Sequence, residues 1–271
     1  WNVKWFDEQK KENGRSASGR KEMLAFIGRQ QADVICFQEF LASNYSDEEK
    51  FNNVQAITRL GYPYHYVAGD YLLRKGVFKV GVAIFSRYPI EDTFRLQYPG
   101  PVSARAAESL IAADIKINGR LLRVFTTHLQ SLRFQKQDYR DIQIIRNAED
   151  SIIDASKSIL RKMKQAYSYR GYQADLVREQ LDHSPYPSVI CGDFNDVPNS
   201  YTYFSIRGDR SDAFLQKGFG IGRTFAHLSP TLRIDYILPD RSFKVNQFQL
   251  EKLPYSDHYP LMADLEWVKA D

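Results

Sequence analysis

Short apolar runs recur along the chain, and several of them alternate apolar with polar positions between Gly, Pro or Asn residues. A period of two residues and turn-forming boundaries are typical of β-strands. The pattern therefore predicts strands at 64–68, 80–85, 107–117, 121–127, 188–191, 233–238, 243–250 and 261–267.

The beginning of the chain combines two kinds of pattern. Residues 1–6 carry strand-forming side chains, and the polar stretch 7–18 predicts an exposed loop. Apolar residues at helical spacing within 20–30 then precede an apolar run at 33–38. These patterns predict a strand, a helix and a second strand in succession.

Between residues 139 and 181 the apolar positions change to helical spacing, with charged residues on the opposite face. This pattern predicts a long amphipathic helix, with a second helix at about 172–181. No internal repeat, low-complexity linker or break in composition divides the chain, so we expect one α/β domain over residues 1–271. Many strands and few helices favour stacked sheets.

Composition and charge restrict the class of protein. A chain of 271 residues that is 43% hydrophobic and 14% aromatic is long enough for a large core and is not typical of a disordered protein. No apolar run approaches the roughly 20 residues that a membrane span needs. The net charge of +4 is too small to indicate a nucleic-acid partner by itself.

The cysteines and the first residue bear on the metal and on the location. Cys36 and Cys191 lie in separate apolar runs and no C-x-x-C occurs, so neither a disulfide framework nor a Cys/His zinc site is expected. A bound metal would be held by oxygen atoms. Because the sequence opens on Trp1 in a strand-like run, we expect a soluble domain cut from a longer chain, and a missing leader or tether leaves its location open.

The segment 189–198 carries the strongest chemical signal, because an apolar strand ends in Gly192 and is followed by Asp193, Asn195 and Asp196. The ends of strands are where a rigid scaffold presents reactive groups. The same residues also favour an Asx turn that closes the strand. This segment alone leaves both interpretations open.

Acidic and histidine residues also accompany four other predicted strands. Asp257 and His258 directly precede the last strand, and neighbouring residues point in different directions, so each can serve a separate role. Asp235 is the acid within an apolar strand, where it needs a partner, and His258 is the candidate. Glu39 and His128 end two more strands. Each residue alone indicates an ordinary exposed side chain, but together they predict one convergent cluster.

Six short motifs occur in an order found in a known family: Asn2-Val3, Gln38-Glu39, Thr127-His128-Leu129, Gly192-Asp193-Phe194-Asn195, Arg233-Ile234-Asp235-Tyr236 and Ser256-Asp257-His258-Tyr259-Pro260. On these motifs the chain resembles the endonuclease/exonuclease/phosphatase superfamily, which includes pancreatic deoxyribonuclease and sphingomyelinases. The resemblance runs from residue 2 to residue 260. It implies an α/β fold, a four-layer α/β/β/α sandwich of two packed mixed sheets flanked by helices.

The resemblance also implies roles for the metal and the attacking water. Glu39 resembles the main ligand of a Mg²⁺ or Mn²⁺ ion, with Asn2 and Asp257 close to it. Asp193 resembles the group that orients or deprotonates the attacking water. Asn195 resembles the group that positions this water or holds a phosphate oxygen.

Further roles concern the charge that develops on the phosphate. His258, kept charged by Asp235, resembles the cation that faces the non-bridging oxygens. His128 resembles a second histidine that either protonates the leaving oxygen or binds phosphate. Arg105 is a candidate phosphate contact, with an ordinary surface arginine as the alternative. The implied reaction is in-line attack of water on the phosphorus of a phosphodiester or phosphomonoester.

Two segments bear on substrate choice. The stretch 131–187 is longer than a minimal member of the superfamily needs, and it predicts an extra helix over one wall of the cleft. Its basic and aromatic residues suit stacking on bases or contact with an anionic membrane, but the favoured explanation is a helix whose apolar stripe packs on the sheet and whose charges form a solvated face. They are Arg161, Lys162, Lys164, Tyr167, Tyr169, Arg170 and Tyr172. The glycine-rich segment 218–222 lacks the lysine of a Walker loop and indicates a turn.

Three functions are compatible with this sequence: a metal-dependent phosphoesterase acting on a small-molecule or lipid phosphate, a nuclease acting on DNA or RNA, and a binding module that retains the fold without catalysis. The third is disfavoured because every catalytic position is filled. A nuclease would show a basic groove and a steep salt dependence, so the net charge of +4 favours the first. We expect a monomer whose partner is the phosphate-ester substrate, and no protein partner is implied.

Overall fold

The computed structural model describes residues 1–6, 18–43, 52–99, 107–132, 152–227 and 231–268. Within these ranges the strands are β1 (Val34–Ser43), β2 (Tyr64–Val67), β3 (Tyr71–Leu73), β4 (Phe78–Ser86), β5 (Ile90–Leu96), β6 (Glu108–Ile117), β7 (Arg120–His128), β8 (Ser188–Asp193), β9 (Asp235–Pro239), β10 (Phe243–Leu250) and β11 (Leu261–Trp267). The helices are α1 (Ser18–Gln30), α2 (Asn53–Arg59), α3 (Ile152–Asp182), α4 (Tyr201–Arg207) and α5 (Ala213–Lys217), and a 3₁₀ turn spans Arg74–Gly76.

These strands form two large sheets and one pair. In the first sheet, β4 pairs antiparallel with β1, β2 and β3. The second sheet has the order β5-β6-β7-β8-β9 and is antiparallel except for the parallel pair β7–β8. Parallel neighbours need a long connection, and α3 lies between these two strands in the chain. Strands β10 and β11 pair with each other.

The space between the two large sheets is filled by a continuous apolar layer. Val82 and Ile84 from β4 meet Ile111 and Ala113 from β6 and Val124 from β7, and all five are buried. Their chain neighbours point to the opposite faces, as the period of two in a strand requires. This layer is the contact surface of the β/β part of the fold.

The opposite faces of the sheets are covered by helices. Met23 and Phe26 of α1 and Ile57 of α2 pack on Phe37 and Phe85 of the first sheet. Helices α3 and α4 cover the second sheet, where the buried contacts include Val177, Leu181, Ile206, Phe125 and Ile190. The layers are therefore helix, sheet, sheet and helix, and the expected four-layer α/β sandwich is confirmed.

The first six residues do not form the predicted strand. Asn2 makes a single parallel bridge to Gln38 of β1, and Lys4, Trp5 and Phe6 then turn with positive φ angles. The backbone amide of Lys4 donates to Oδ1 of Asn2 at 3.1 Å, which closes this turn. The turn lets Val3 and Phe6 both enter the core, where neither is exposed. Burial of these two side chains therefore overrides the strand-like local pattern.

The helical region differs from its prediction in one respect. Helix α3 runs without interruption to Asp182, so there is no separate helix beginning near residue 172. Gly171 lies inside α3, and its position faces the ring of Tyr201 from α4 at ordinary packing distance. The glycine thus provides space for a neighbour and does not end the helix. The predicted helical residues 139–151 lie outside the described ranges, and no described helix is both long and apolar enough to cross a membrane.

Candidate active site

Three acidic residues and one histidine lie in one row across the second sheet. Glu108 of β6 pairs in register with His128 of β7, His128 pairs with Asp193 of β8, and Asp193 pairs with Asp235 of β9. Residues paired in this way share a face and lie about 5 Å apart between neighbouring strands. All four side chains are buried. The row concentrates titratable groups at one end of the sheet.

His258 approaches this row from the loop before β11. Its Nδ1 lies 3.1 Å and 3.0 Å from the two carboxylate oxygens of Asp235, and its Nε2 lies 3.5 Å from Oδ2 of Asp193. The structure thus pairs His258 with Asp235 as predicted. Burial lowers the pKa of His258, but the charges of Asp235 and Asp193 and the hydrogen bond to Asp235 outweigh burial and raise this pKa to about 9.

The backbone around His258 is fixed by neighbouring segments. Its amide donates to Oγ of Ser256 at 3.1 Å, and its carbonyl accepts from Nε1 of Trp1 at 2.9 Å. Oγ of Ser256 in turn donates to the carbonyl of Asn2 at 2.8 Å. The ring of Phe225 packs edge-on against the imidazole, with 4.9 Å between centroids. These contacts hold the imidazole in place before any ligand binds.

His128 occupies the corresponding position on the other side of Asp193. Its Nδ1 lies 3.3 Å from Oε2 of Glu108, and its Nε2 lies 3.6 Å from Oδ2 of Asp193. Burial lowers the pKa of His128, but contact with Glu108 and the negative charges of Glu108, Asp193 and Glu39 raise it to about 10. Both imidazoles that face Asp193 are therefore cations at neutral pH.

Asp193 is the centre of the cluster. Its Oδ1 accepts the backbone amide of Asn195 at 2.9 Å, and its Oδ2 accepts Nδ2 of Asn2 at 3.2 Å. Burial raises the pKa of Asp193, the positive charges of His258 and His128 oppose this effect, and the negative charge of Asp235 adds to it. The result is a buried carboxylate held between two cations, with its affinity for a proton increased.

Glu39 joins the two sheets at this point. A bulge in the β1–β4 ladder between Phe37 and Phe40 leaves Glu39 with a φ of 50°. The Glu39 amide donates to Oε2 of Glu108 in the other sheet at 2.9 Å. The Glu39 carboxylate accepts Nδ2 of Asn2 at 3.1 Å. Bulges often re-aim side chains next to active sites, and this one directs Glu39 toward the Asp193 row.

Asn195 lies directly after β8 in a strained backbone conformation. Its φ is 52°, a region that Asn tolerates better than most residues. Its Nδ2 donates to the carbonyl of Leu129 at 3.0 Å. The Asn195 side chain therefore ties the loop after β8 to the loop after β7.

Arg170 of α3 binds both the loop after β7 and the loop after β8. Its Nε lies 3.1 Å from Oδ2 of Asp196, and its Nη1 donates to the carbonyl of Gln130 at 2.8 Å. The amide of Gln130 donates to Oε1 of Gln173 on the same helix at 2.9 Å. Oγ1 of Thr202 also donates to Oδ2 of Asp196 at 2.8 Å. Arg170 is 1% exposed, so it does not belong to the solvated helix face expected for the charges of this segment.

Asp257 is placed less centrally than the other predicted residues. Its Oδ2 pairs with Nζ of Lys4 at 2.5 Å. Burial raises the pKa of Asp257, but the charges of His258 and Lys4 outweigh it and lower this pKa below its ordinary value. Asp257 is therefore an ionised carboxylate that already pairs with Lys4, and its role as a metal ligand stays a prediction. Arg105 lies outside the described residues.

Two residues of the site were not predicted from the sequence. Glu108 opens an apolar strand, and the reasoning that singled out Asp235, an acid in an apolar run, applies to it equally. Arg170 stands among several exposed basic residues in a helix, and no local pattern distinguishes it from Arg161. Arg170 is distinguished from Arg161 by its contact with Asp196 in the folded protein.

Within the described part of the chain, two groups of residues are candidates for binding a metal ion. Ligand atoms of Asp193, Asp235 and His258 lie within 4.8 Å of one another. In this group Nδ1 of His258 is paired with Asp235 at 3.0 Å, and its Nε2 lies 3.5 Å from Oδ2 of Asp193, so the imidazole serves as a partner of the two carboxylates. Glu39 offers a carboxylate, a donor that Mg²⁺ and Mn²⁺ prefer, but Nδ2 of Asn2 faces it while Oδ1 of Asn2 accepts the amide of Lys4. The Glu39 carboxylate therefore fits the expected metal, and Asn2 would bind the ion only with its side-chain amide turned over.

Two packed sheets flanked by helices form the DNase I-like fold, and in this chain carboxylates and histidines converge at the ends of the strands. The chain belongs to the Endonuclease/Exonuclease/phosphatase family, whose model matches residues 1–258. Members of this family are hydrolases that act on phosphate esters and are typically metal-dependent. A comparison with curated protein sequences finds no match.

Solved structures share the fold at low sequence identity. Humanised TDP2 from D. rerio is 17% identical with a TM-score of 0.64, and the match covers 98% of this chain and 96% of that one. A mannosyl-6-phosphatase from Bacteroides thetaiotaomicron is 17% identical with a TM-score of 0.61, covering 98% and 97%. A family structure from Beutenbergia cavernae is 18% identical with a TM-score of 0.60. The match covers 91% of this chain but only 65% of the longer Beutenbergia chain.

Proposed function

We propose that this protein hydrolyses a phosphate monoester or diester by attack of water on phosphorus, with Mg²⁺ or Mn²⁺ as cofactor. The observation that carries the proposal is the position of Asp193, a buried carboxylate whose Oδ2 faces Nε2 of both His128 and His258. A base flanked by two cations is the arrangement that a reaction needs when it deprotonates water beside an anionic substrate.

Each side chain has a distinct part in this proposal. Asp193, with its raised proton affinity, accepts a proton from the attacking water. His258 stays protonated through Asp235 and donates to a non-bridging phosphate oxygen. His128 stays protonated through Glu108 and either protonates the leaving oxygen or binds phosphate. Asn195 orients the water or a phosphate oxygen beside Asp193.

Glu39 would hold the metal ion, together with Asn2 once its side-chain amide is turned over, and Asp257 is the third predicted ligand. The bound ion would supply positive charge to the phosphoryl oxygens. Glu39 is well suited to this task because its backbone is fixed on both sides, by the β1 bulge and by the amide contact to Glu108. A mannosyl-6-phosphatase and a D. rerio TDP2 bound to a single-stranded DNA product share this fold, which supports a phosphate ester as substrate and does not choose between a monoester and a diester.

The test is hydrolysis of p-nitrophenyl phosphate, bis-p-nitrophenyl phosphate and plasmid DNA, each with Mg²⁺, Mn²⁺ or EDTA. We expect metal-dependent turnover that falls about 10³-fold or more in Asp193→Asn, since one preorganised group supplies about 10²–10³ and this one is also the base. Asp209→Asn is the matched control, because Asp209 is an exposed carboxylate that pairs with the exposed Arg241.

The substrates separate the alternatives. Cleavage of plasmid DNA at a rate above that of the small esters would support a nuclease. Turnover of the esters with intact DNA would support a small-molecule or lipid phosphoesterase. Equal turnover in wild type and Asp193→Asn would refute the mechanism. Metal binding without any turnover would support the non-catalytic module.

A further inference from the structure

The loop after α5 carries apolar side chains that point into solvent. Within residues 218–222, Phe219 is 100% exposed and Ile221 is 64% exposed, and Leu215 of α5 is 60% exposed. We call Leu215, Phe219 and Ile221 the apolar tip. Apolar residues grouped this way at the surface of a soluble domain commonly mark an interaction site.

The base of this loop is fixed, so the tip is a preformed projection. A Cβ atom at Gly218 or Gly222 would come within 2.2 Å or 2.5 Å of the ring of Phe214, which shows that both glycines lie directly on that ring. Phe214 is held in turn by the guanidinium of Arg233 at 4.8 Å and by Phe248, with 5.7 Å between ring centroids. The two ends of the loop are thereby pinned together.

The glycines also keep the apolar side chains away from the core. Gly220 and Gly222 have φ angles of 80° and 68°, a region that side-chain-bearing residues rarely adopt. A Cβ atom at Gly220 would contact nothing within 4 Å, so the middle of the loop stands free of the domain. The glycines therefore keep Phe219 and Ile221 exposed to solvent. This exposure of apolar surface is unfavourable in free energy, and burial against a binding partner would offset it.

The loop continues directly into the wall of the candidate active site. Oγ1 of Thr224 accepts the amides of Ile234 and Asp235 at 3.0 Å and 3.2 Å. The next residue, Phe225, packs on the imidazole of His258. The projection and the cation of the site are thus separated by only a few residues of fixed backbone.

The chemistry of the segment points to one kind of partner. The charged residues within 213–225 are Lys217 and Arg223, both basic, and no acidic residue occurs there. Arg223 binds its own loop, since its Nε donates to the carbonyl of Phe225 at 2.8 Å, whereas Lys217 is exposed. A protein interface usually surrounds its apolar centre with a polar rim of directed hydrogen bonds. A projecting apolar tip beside an exposed lysine and without acidic residues suits the interface of an anionic bilayer, where apolar side chains enter the acyl region and cations remain among the headgroups.

We propose that the apolar tip inserts into the surface of an anionic lipid bilayer. This binding goes beyond the proposed hydrolysis and does not depend on it. Where the proposed function also holds, membrane binding brings the Asp193 site to phosphate esters at the lipid surface.

The test is cosedimentation with vesicles of phosphatidylcholine alone and of phosphatidylcholine with phosphatidylserine. We expect wild type to bind the anionic vesicles and Phe219→Ser/Ile221→Ser to bind them about tenfold or more weakly, because two apolar side chains no longer enter the bilayer. Leu72→Ser is the matched control, since Leu72 is 69% exposed on β3 and we expect it to leave binding unchanged.

Two further measurements keep this test separate from catalysis. Asp193→Asn should bind vesicles as wild type does, and the double serine variant should hydrolyse a soluble p-nitrophenyl ester as wild type does. The proposal is overturned if wild type binds neither vesicle or if the double variant binds as well as wild type. It is also overturned if wild type self-associates in sedimentation and the double variant does not, since the tip would then contact a second copy of the chain.

Discussion

Two residues of the candidate site have backbone conformations that most side chains avoid. Glu39 and Asn195 both have φ angles near 50°. For an L-residue this region costs roughly 1–2 kcal/mol, and Asn tolerates it because its short polar side chain bonds locally. Such strain persists where surrounding contacts determine the backbone, and here both residues lie at the edge of the Asp193 cluster.

Asn195 allows the backbone cost and the side-chain role to be separated. We expect Asn195→Gly to retain the folded stability of the wild type better than Asn195→Ala by about 1 kcal/mol, because glycine adopts a positive φ freely. Both variants should lose turnover equally, since both lose the amide that bonds the carbonyl of Leu129. Urea unfolding and hydrolysis rates measure the two effects. Equal stabilities would show that φ at this position relaxes without cost.

Glu108 is expected to control the charge of His128. Glu108→Gln removes the negative charge at 3.3 Å from Nδ1, so the pKa of His128 should fall from about 10 toward its ordinary value of 6.5. An NMR titration of the imidazole proton resonances measures this shift. A pKa that stays near 10 in the variant would mean that the charges of Asp193 and Glu39 suffice to keep His128 protonated.

The same pair makes folding stability depend on pH. A histidine with a raised pKa stabilises the fold fully below pH 6.5, and this contribution is lost as pH rises through about 10. The difference in unfolding free energy between wild type and Glu108→Gln should therefore be larger at about pH 6.5 than at neutral pH, and it should shrink as the pH rises toward 10. A difference that does not change over this range would contradict the assignment.

At the scale of elements, predictability followed the strength of the apolar pattern. Strands with alternating or continuous apolar runs, such as β4 and β6, were predicted close to their observed bounds. Strand β5 was missed because its side chains are mostly exposed at the edge of a sheet and its apolar residues, Ile90, Phe94 and Leu96, are sparse. The short helices α2, α4 and α5 were missed as well, since each has too few turns to show a helical period.

The residues of the candidate site also divide into those that the sequence pattern predicts and those that it does not. Residues at strand ends were predictable because the sequence places polar groups directly after apolar runs, and the register of β7, β8 and β9 then brings them together. Arg170 was not distinguishable, because its burial depends on Asp196 and Gln130 reaching it from loops distant in the chain. A pattern along one helix contains no information about such a contact.

Helix α3 is expected to owe part of its attachment to Arg170. Arg170→Met leaves the buried carboxylate of Asp196 without its cation, and breaking a buried pair in this way costs about 3–5 kcal/mol. Arg161→Met, on an exposed position of the same helix, should change stability by about 0.5 kcal/mol or less. Urea unfolding of the two variants makes the comparison. Equal losses of unfolding free energy in the two variants would show that the Arg170–Asp196 contact does not stabilise the fold.

At the scale of the whole molecule, the site depends on both sheets at once. Glu39 belongs to the first sheet and Glu108, His128 and Asp193 to the second. The apolar layer between the sheets therefore sets the distance between the proposed metal ligand and the proposed base. Changes deep in this layer should affect the two sheets together.

Ile84→Ala tests this coupling. Ile84 is fully buried between the sheets, so truncation should lower the unfolding free energy by about 2–5 kcal/mol through the cavity it leaves. Hydrogen exchange should become faster in β7 as well as in β4, while Leu72→Ala, an exposed position, should change neither. Faster exchange confined to β4 would show that the sheets unfold separately.

The register row across β6, β7, β8 and β9 has a consequence for how this family can vary. Because side chains alternate between the two faces of a strand, gaining or losing one residue inside β7 or β8 would turn His128 or Asp193 to the helix-covered face. Substitutions within these strands change one contact, whereas a single insertion removes a reactive group. Length variation among descendants of this chain should therefore be confined to its connections, leaving these strands with fixed lengths while the loops around the substrate diverge.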